Sequence, residues 1–310
     1  MEAVDSVRRQ SLGAWELVVV DDASSDGTSR WLHAQTDERV RSLRLDEHAE
    51  RSTARNRGLD ATRAPYVLFL DDDDRLRPNG LESLAKALQE NLNAVGAIGA
   101  EVMFDSRDHA RRFPHPRWAS TRQIWVDIVA GWSAPPGRTL LRRNVLIESG
   151  RFDEGLNYAE DPDVWLRMSR HGPFRIVPQV VLEKRIHAGQ TLPSDAPQMS
   201  IMIRARFIDG LPAVEHKIGE NVLAFREKRL SADGAFLDAR YRQALRQYMS
   251  AIGRAPRMLI SPLVGPALMI RVLKSLAGTL GGRRLGLFVR SARWKIRRAL
   301  KHAPDDSDVT

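Results

Sequence analysis

The sequence predicts an α/β fold: a mostly parallel sheet flanked by helices, followed by a helical, basic C-terminal extension. Three observations predict it. Apolar runs without polar alternation, residues 15–20 and 66–70, read as strands covered on both faces. Stretches of helical character, bounded by turn residues, alternate with these runs. The loops after the strands gather acids, hydroxyls and arginines, as expected at the carboxyl edge of an open sheet where ligands sit.

In chain order, Val4, Val7 and Leu12 give residues 1–12 a partial helical stripe. Residues 15–20 form a strand, and Asp21-Asp22-Ala23-Ser24-Ser25-Asp26-Gly27-Thr28 a turn-rich loop. A helix through Trp31 and Leu32 leads to a short strand at 40–45. Residues 52–62 read as a helix closed by Pro65. The next strand, Tyr66-Val67-Leu68-Phe69-Leu70, runs straight into Asp71-Asp72-Asp73-Asp74. Pro78 and Asn79 start a helix over 81–91, and residues 95–104 are strand-like. Residues 105–135 are irregular; 138–142 are a strand; Asp161-Pro162 opens a helix to about His171. Two short strands follow at 174–177 and 180–185. The chain then turns helical and basic, which sets a boundary near 193–197: a domain at 1–195 and an extension at 196–310.

The 310 residues, 43% of them hydrophobic, allow a sizeable core. There is no cysteine, which excludes disulfides and cysteine zinc sites and fits a reducing, cytoplasmic setting. The N-terminal residues have no signal-peptide pattern. The net charge of +9 is unevenly placed: residues 239–304 hold 15 Lys/Arg and no Asp/Glu, so the front is mildly acidic. That asymmetry calls for an anionic partner at the back. Residues 285–300 interleave Leu287, Phe288, Val289, Trp294 and Ile296 with Arg290, Arg293, Lys295, Arg297 and Arg298. This reads either as a helix lying on an anionic membrane surface or as one packed on the protein with a solvated basic face. Nucleic acid is disfavoured, because no nucleic-acid motif accompanies the charge. The apolar run at 258–270 is broken by Pro262 and Pro266 and falls short of the roughly 20 residues a membrane span needs.

The acid run carries the chemistry. Four adjacent carboxylates raise one another's pKa unless a cation or donors intervene. Asp71 and Asp73, in D-x-D spacing, are hard oxygen donors suited to a divalent ion already carrying phosphate. The acids and hydroxyls of residues 21–28 suit a ribose and a base edge. Arg51, Arg55, Asn56 and Arg57, near a helix N-terminus, suit phosphate oxygens. Each has a plainer reading: a helix cap at 21–28, solvated arginines on a helix, and Asp161 as an N-cap ahead of a proline.

Four ordered motifs carry a family resemblance over about residues 1–190. Val18-Val19-Val20-Asp21-Asp22-Ala23-Ser24-Ser25-Asp26-Gly27-Thr28 resembles the VVDDGSTDGT motif of family 2 inverting glycosyltransferases. Ala54-Arg55-Asn56-Arg57-Gly58 is similar to their ARNxG, and Leu70-Asp71-Asp72-Asp73-Asp74 with Pro78 to their LDxDD…P. Gly150-Arg151-Phe152-Asp153-Glu154, then Glu160-Asp161 and Trp165-Leu166-Arg167, resembles GxFDE…ED. The resemblance implies a GT-A fold and a UDP- or dTDP-sugar donor. It implies a saccharide or lipid-linked acceptor, and work in cell-surface polysaccharide synthesis, peripheral to the inner membrane face.

It also implies residue roles. One of Asp21 and Asp22 contacts the base and ribose. Arg55 lies near the diphosphate. Asp71 and Asp73 form the D-x-D pair, with Asp73 the direct ligand of Mn²⁺ or Mg²⁺ and Asp74 in support. Asp161, with Glu160 as the alternative, is the general base. His187 is similar to a late histidine near the metal and diphosphate. Two departures stand out. Pro162 occupies a position that is often aromatic. Family members also begin with a central strand and a PxYN-type loop, whereas this sequence starts inside the following helix. The expectation is a sheet without its first strand, from a start placed downstream of the true one or from a defective product. Competing readings are a catalytically inactive, membrane-associated relative and a nucleotidyltransferase.

Overall fold

The computed structural model describes residues 2–104, 111–113, 120–121, 123–187, 193–259, 261 and 264–279. Its elements in order are α1 (Glu2–Arg8), β1 (Leu17–Asp21), α2 (Thr28–His33), β2 (Val40–Arg44), α3 (Glu50–Asp60), β3 (Tyr66–Val67) and β4 (Arg75–Leu76). Next come α4 (Gly80–Gln89), β5 (Gly96–Phe104), β6 (Arg111–Phe113), β7 (Ser120–Thr121), α5 (Ile124–Val129), β8 (Thr139–Arg142), α6 (Arg143–Glu148), α7 (Glu160–Met168) and β9 (Phe174–Arg185). The chain continues with α8 (Ala196–Asp209), α9 (Ala213–Leu237), α10 (Tyr241–Arg254) and α11 (Gly265–Thr279). It divides into two compact units, Met1–Glu220 and Asn221–Thr310. The basic stretch at 285–300 lies outside the described residues.

The α/β class holds, but the described sheet is mixed rather than mostly parallel. β1–β2 and β5–β9 are the parallel pairs. β3–β8, β5–β8, β4–β9, β5–β6 and β7–β9 are antiparallel. The main path runs β3-β8-β5-β9-β4, and β1–β2 forms its own two-stranded sheet. Among the described residues β1 pairs only with β2, and β3 only with β8.

That edge position corrects one expectation. Only Tyr66 and Val67 of the run 66–70 join a ladder, and all five residues are half-buried rather than covered on both faces. Leu68, Phe69 and Leu70 lead on, outside the ladder, to the acidic turn. The two strands expected at 174–177 and 180–185 are one strand, β9. Its register against β5 shifts between Ile98↔Ile176 and Ala100↔Val180. Pro178, which has no N–H to donate, sits in that irregularity and gave the sequence its break.

The core positions the site by pressing helices on the β5–β9 pair. In α4, Leu81, Leu84, Ala85 and Leu88 recur at helical spacing and pack with Val181 and Leu182 of β9 and Val7 of α1. A Cβ on Gly96 would stand 2.7 Å from the Phe174 ring, so only glycine lets β5 approach that side chain. Trp165 and Phe174, both fully buried, meet edge to face with centroids 6.2 Å apart. Burying a side chain of that class is worth roughly 1.5–3 kcal/mol. The Trp165 indole N–H also donates to Ala134 O at 2.9 Å, which locks α7 in place. α8, assigned by sequence to the extension, packs on α7 within the first unit: Arg206 reaches Asp163 at 2.7 Å.

Candidate active site

The acidic turn follows the half-buried run at 68–70 and is held from two sides. The Asp74 amide donates to Asp71 O at 3.2 Å, closing the turn on itself. From β9, the Arg185 amide donates to Asp74 Oδ1 at 2.8 Å, and its guanidinium donates to Asp73 O at 3.0 Å. The same guanidinium stacks over Phe104 at 4.5 Å and reaches Glu2 at 2.7 Å. Two residues on, His187 Nε2 lies 2.9 Å from Asp73 Oδ2. No motif marks Arg185 in the sequence; its one signal is a place two residues before His187.

Asp71, Asp73 and Asp74 bring carboxylate oxygens within 4.8 Å of one another. Three hard oxygen donors at that spacing fit a divalent ion such as Mn²⁺ or Mg²⁺, and their mutual repulsion gives the ion something to offset. Asp72 is exposed and turned out of this set. Burial pushes the Asp74 carboxyl up to about 7; the charges of Asp73 and Asp71 add to this, and the Arg185 amide opposes it.

The sign of that shift makes a prediction. A raised folded-state pKa means the proton on Asp74 favours the fold below its ordinary pKa. This contribution is lost as pH rises through about 7. A metal ion needs the carboxylate instead, so ion binding releases the proton. Mn²⁺ affinity, followed by calorimetry without any donor, should rise about tenfold from pH 6 to pH 8. A flat profile would mean that Asp74 does not take part.

Arg55 of α3 is the hub of the site. Its side chain is 10% exposed and faces three carboxylates: Asp71 at 3.0 Å, Glu160 at 3.0 Å and Asp161 at 2.9 Å. Phe152 covers it, with the guanidinium carbon 5.2 Å from the ring centroid. Burial alone would lower its pKa, but the charges of Asp161, Asp71 and Glu160 raise it. Its neighbour Asn56 donates to Phe152 O at 2.9 Å and Glu154 at 2.8 Å, and accepts from the Phe152 amide at 3.2 Å. Asn56 thereby fastens the 150–154 segment that carries Phe152.

The helix holding the two candidate bases begins earlier than the sequence indicated. α7 starts at Glu160, and its N-cap residue is Ala159, in the left-handed region at φ 62. Asp161 is therefore inside the first turn and not the cap, and its carboxylate accepts from Arg55. Glu160 is 4% exposed and closed in by Arg51 at 3.5 Å and by Arg55. Asp161 is 21% exposed, so of the two it is the one open to solvent. Burial raises the Asp161 carboxyl; Arg55 works against the rise, and Glu160 and Asp71 add to it.

The first loop is joined to this centre at one remove. Asp22 accepts from the Ala49 amide at 2.8 Å, at the mouth of α3, and lies 2.7 Å from His48 Nδ1. Asp21 is buried. Burial alone would raise its carboxyl, but bonds from Ser24 and Arg44 outweigh it and hold it below the usual range. Arg44 and His48 are further partners that the sequence reading missed; both stand in segments without motif character. The structure thus brings together Arg55, Asp71, Asp73, Asp74, Glu160, Asp161 and His187, and links Asp22 to them through α3. Asp21 is committed to Ser24 and Arg44.

Known proteins resemble this chain in sequence and in fold. Residues 1–150 match the family model for glycosyl transferase family 2. TuaG of Bacillus subtilis (strain 168), named for teichuronic acid biosynthesis, is 34% identical over 116 residues, 37% of this chain and 46% of its own. The succinoglycan biosynthesis protein ExoO of Rhizobium meliloti (strain 1021) is 30% identical over 173 residues, 52% of this chain and 49% of its own. The chain therefore spans about half the length of these relatives. S. aureus TarS 1–349, solved in complex with UDP-GlcNAc, superposes with a TM-score of 0.61 at 18% identity, covering 89% of this chain and 84% of that one. The fold is GT-A, and the likeness to glycosyl transferase family 2 spans residues 1–150.

Proposed function

We propose that the chain transfers a sugar from a nucleoside diphosphate sugar, UDP- or dTDP-linked, to a saccharide or lipid-linked acceptor, with inversion, in cell-surface polysaccharide synthesis. One observation carries the reading. A single guanidinium, Arg55, bridges the acid triad at Asp71 and the first turn of α7 at Asp161. Diphosphate and acceptor would thus meet on the two sides of one fixed cation. The names of the relatives, teichuronic acid and succinoglycan biosynthesis, and the UDP-GlcNAc bound to TarS support the substrate class.

In this mechanism Asp161 takes the proton of the acceptor hydroxyl as its oxygen bonds to the anomeric carbon. The bond from that carbon to the diphosphate breaks on the opposite face, and the nucleoside diphosphate leaves. Arg55, with Arg51 beside it, answers the charge that gathers on the diphosphate. Asp71, Asp73 and Asp74 would hold Mn²⁺ or Mg²⁺, with His187 bonded to Asp73. When bound, the ion supplies charge neutralisation at the leaving group. One of Asp21 and Asp22 would serve the nucleoside, and Asp22 is the more open of the two, since Asp21 is buried and committed to Ser24 and Arg44. A nucleotidyl transfer has no comparable use for a reachable carboxylate at Asp161.

The setting we propose is the cytoplasmic membrane face, with the basic C-terminal part toward anionic lipid. No helix among the described residues is long and apolar enough to cross a membrane. The test is nucleoside diphosphate release from a panel of UDP- and dTDP-sugars with Mn²⁺. Release from one donor, lost on chelation, is expected. Failure of every donor to bind in calorimetry would overturn the proposal.

A further inference from the structure

Helix α10 carries a basic face that no other described residue neutralises. Ala244, Tyr248 and Ala251 are buried and seat the helix in its unit. Arg242, Arg246 and Met249 recur at i, i+4 and i+7 on the opposite side, and all three are exposed. Arg254 lies exposed on the flank of that face. Among the described residues Arg242, Arg246 and Arg254 make no side-chain hydrogen bond or ion pair. Arg240 differs: it pairs with Asp238 at 2.6 Å and with Gln243 at 3.0 Å. Arg242 and Arg246 also line, with Arg240, Tyr241 and Thr279, an open recess of about 370 Å³. Like charges left together without a counter-charge repel one another, and the surrounding sequence supplies none: residues 239–304 contain no Asp or Glu.

We propose that this α10 face docks on an anionic phospholipid surface, with Arg242 and Arg246 at headgroup phosphates and Met249 in the interfacial layer. The proposal rests on the membrane setting given above and names the surface that achieves it. Charge complementarity selects an anionic occupant. The apolar Met249, 55% exposed about one turn beyond Arg246, selects lipid over nucleic acid. The face offers no exposed aromatic side chain on which a base could stack.

The test uses the full chain and vesicles of phosphatidylcholine, with or without 30 mol% phosphatidylglycerol (about one anionic lipid in three). Wild type should bind only the anionic vesicles and release as salt rises. Each arginine at such a surface is worth roughly fivefold in affinity, so Arg242→Gln with Arg246→Gln should weaken binding about 25-fold. Arg242→Lys with Arg246→Lys should restore it, because a charge and not a fork is needed. These residues are exposed, so the melting temperature should not move. The tail is probed separately by Arg290→Gln, Arg293→Gln and Arg297→Gln. If that variant loses binding while the α10 variant does not, the α10 proposal is overturned and the membrane setting stands. If wild type ignores anionic vesicles, both fall. If it prefers a random RNA oligomer at equal ionic strength, the lipid assignment is overturned.

Discussion

Asp161→Asn is expected to lower the turnover number by about 10²–10⁴-fold, the usual worth of a positioned general base, while donor and Mn²⁺ affinities stay within about twofold. The amide keeps the shape of the side chain and can still accept from Arg55, so the bridge to Asp71 survives. Only the capacity to take a proton is removed. The pH profile provides an independent readout. Burial raises the Asp161 carboxyl to about 7, so the wild-type rate should climb with pH and level off above that value. The variant should lack that limb. Glu160→Gln is the control. Glu160 is closed in by Arg51 and Arg55, so its loss should unsettle Arg55 and raise KM more than it lowers turnover. Equal turnover in wild type and Asp161→Asn would remove Asp161 from the mechanism.

Much of this centre was legible because its residues are consecutive or sit in short motifs. Four acids in a row need a physical reason wherever they occur, and the resemblance to LDxDD leaves Asp72 at the variable position, apart from the other three. Alternating apolar runs and helices gave the α/β class. What the sequence hid is what depends on partners far along the chain. The edge position of β3, which leaves 68–70 half-buried, follows from its pairing to β8, some 75 residues on. The start of α7 is set by Ala159 in the left-handed region, which no residue preference announces. That geometry places Asp161 one residue inside the helix, whereas Asp-Pro by itself reads as a cap and first turn. Arg185 was hidden for a similar reason. Its role comes from reaching across from β9 to a backbone carbonyl of the acidic turn, a contact with no compositional trace.

Asp73→Ala is expected to abolish metal-dependent transfer, by at least about 10³-fold, because several kcal/mol of charge stabilisation are withdrawn at the leaving group. Mn²⁺ binding, measured without donor, should weaken in step. What separates this from a structural lesion is the behaviour of the ligand-free fold. Asp73 is half-buried, and its charge is one of the causes that raise the Asp74 pKa, after burial itself. A carboxyl with a raised folded-state pKa favours the fold below its ordinary pKa and loses that contribution as pH rises through about 7. Removing the Asp73 charge relieves part of that loss at pH 8. The bond to His187 is also lost, but it is an exposed contact worth little. The melting temperature without metal should therefore hold or rise at pH 8, while wild type alone is stabilised by added Mn²⁺. Asp72→Ala, at the exposed position of the same run, should leave both metal affinity and activity unchanged. A fall in melting temperature that accounts for the lost activity would make the acidic turn a structural element, and the ion would then have to be sought elsewhere.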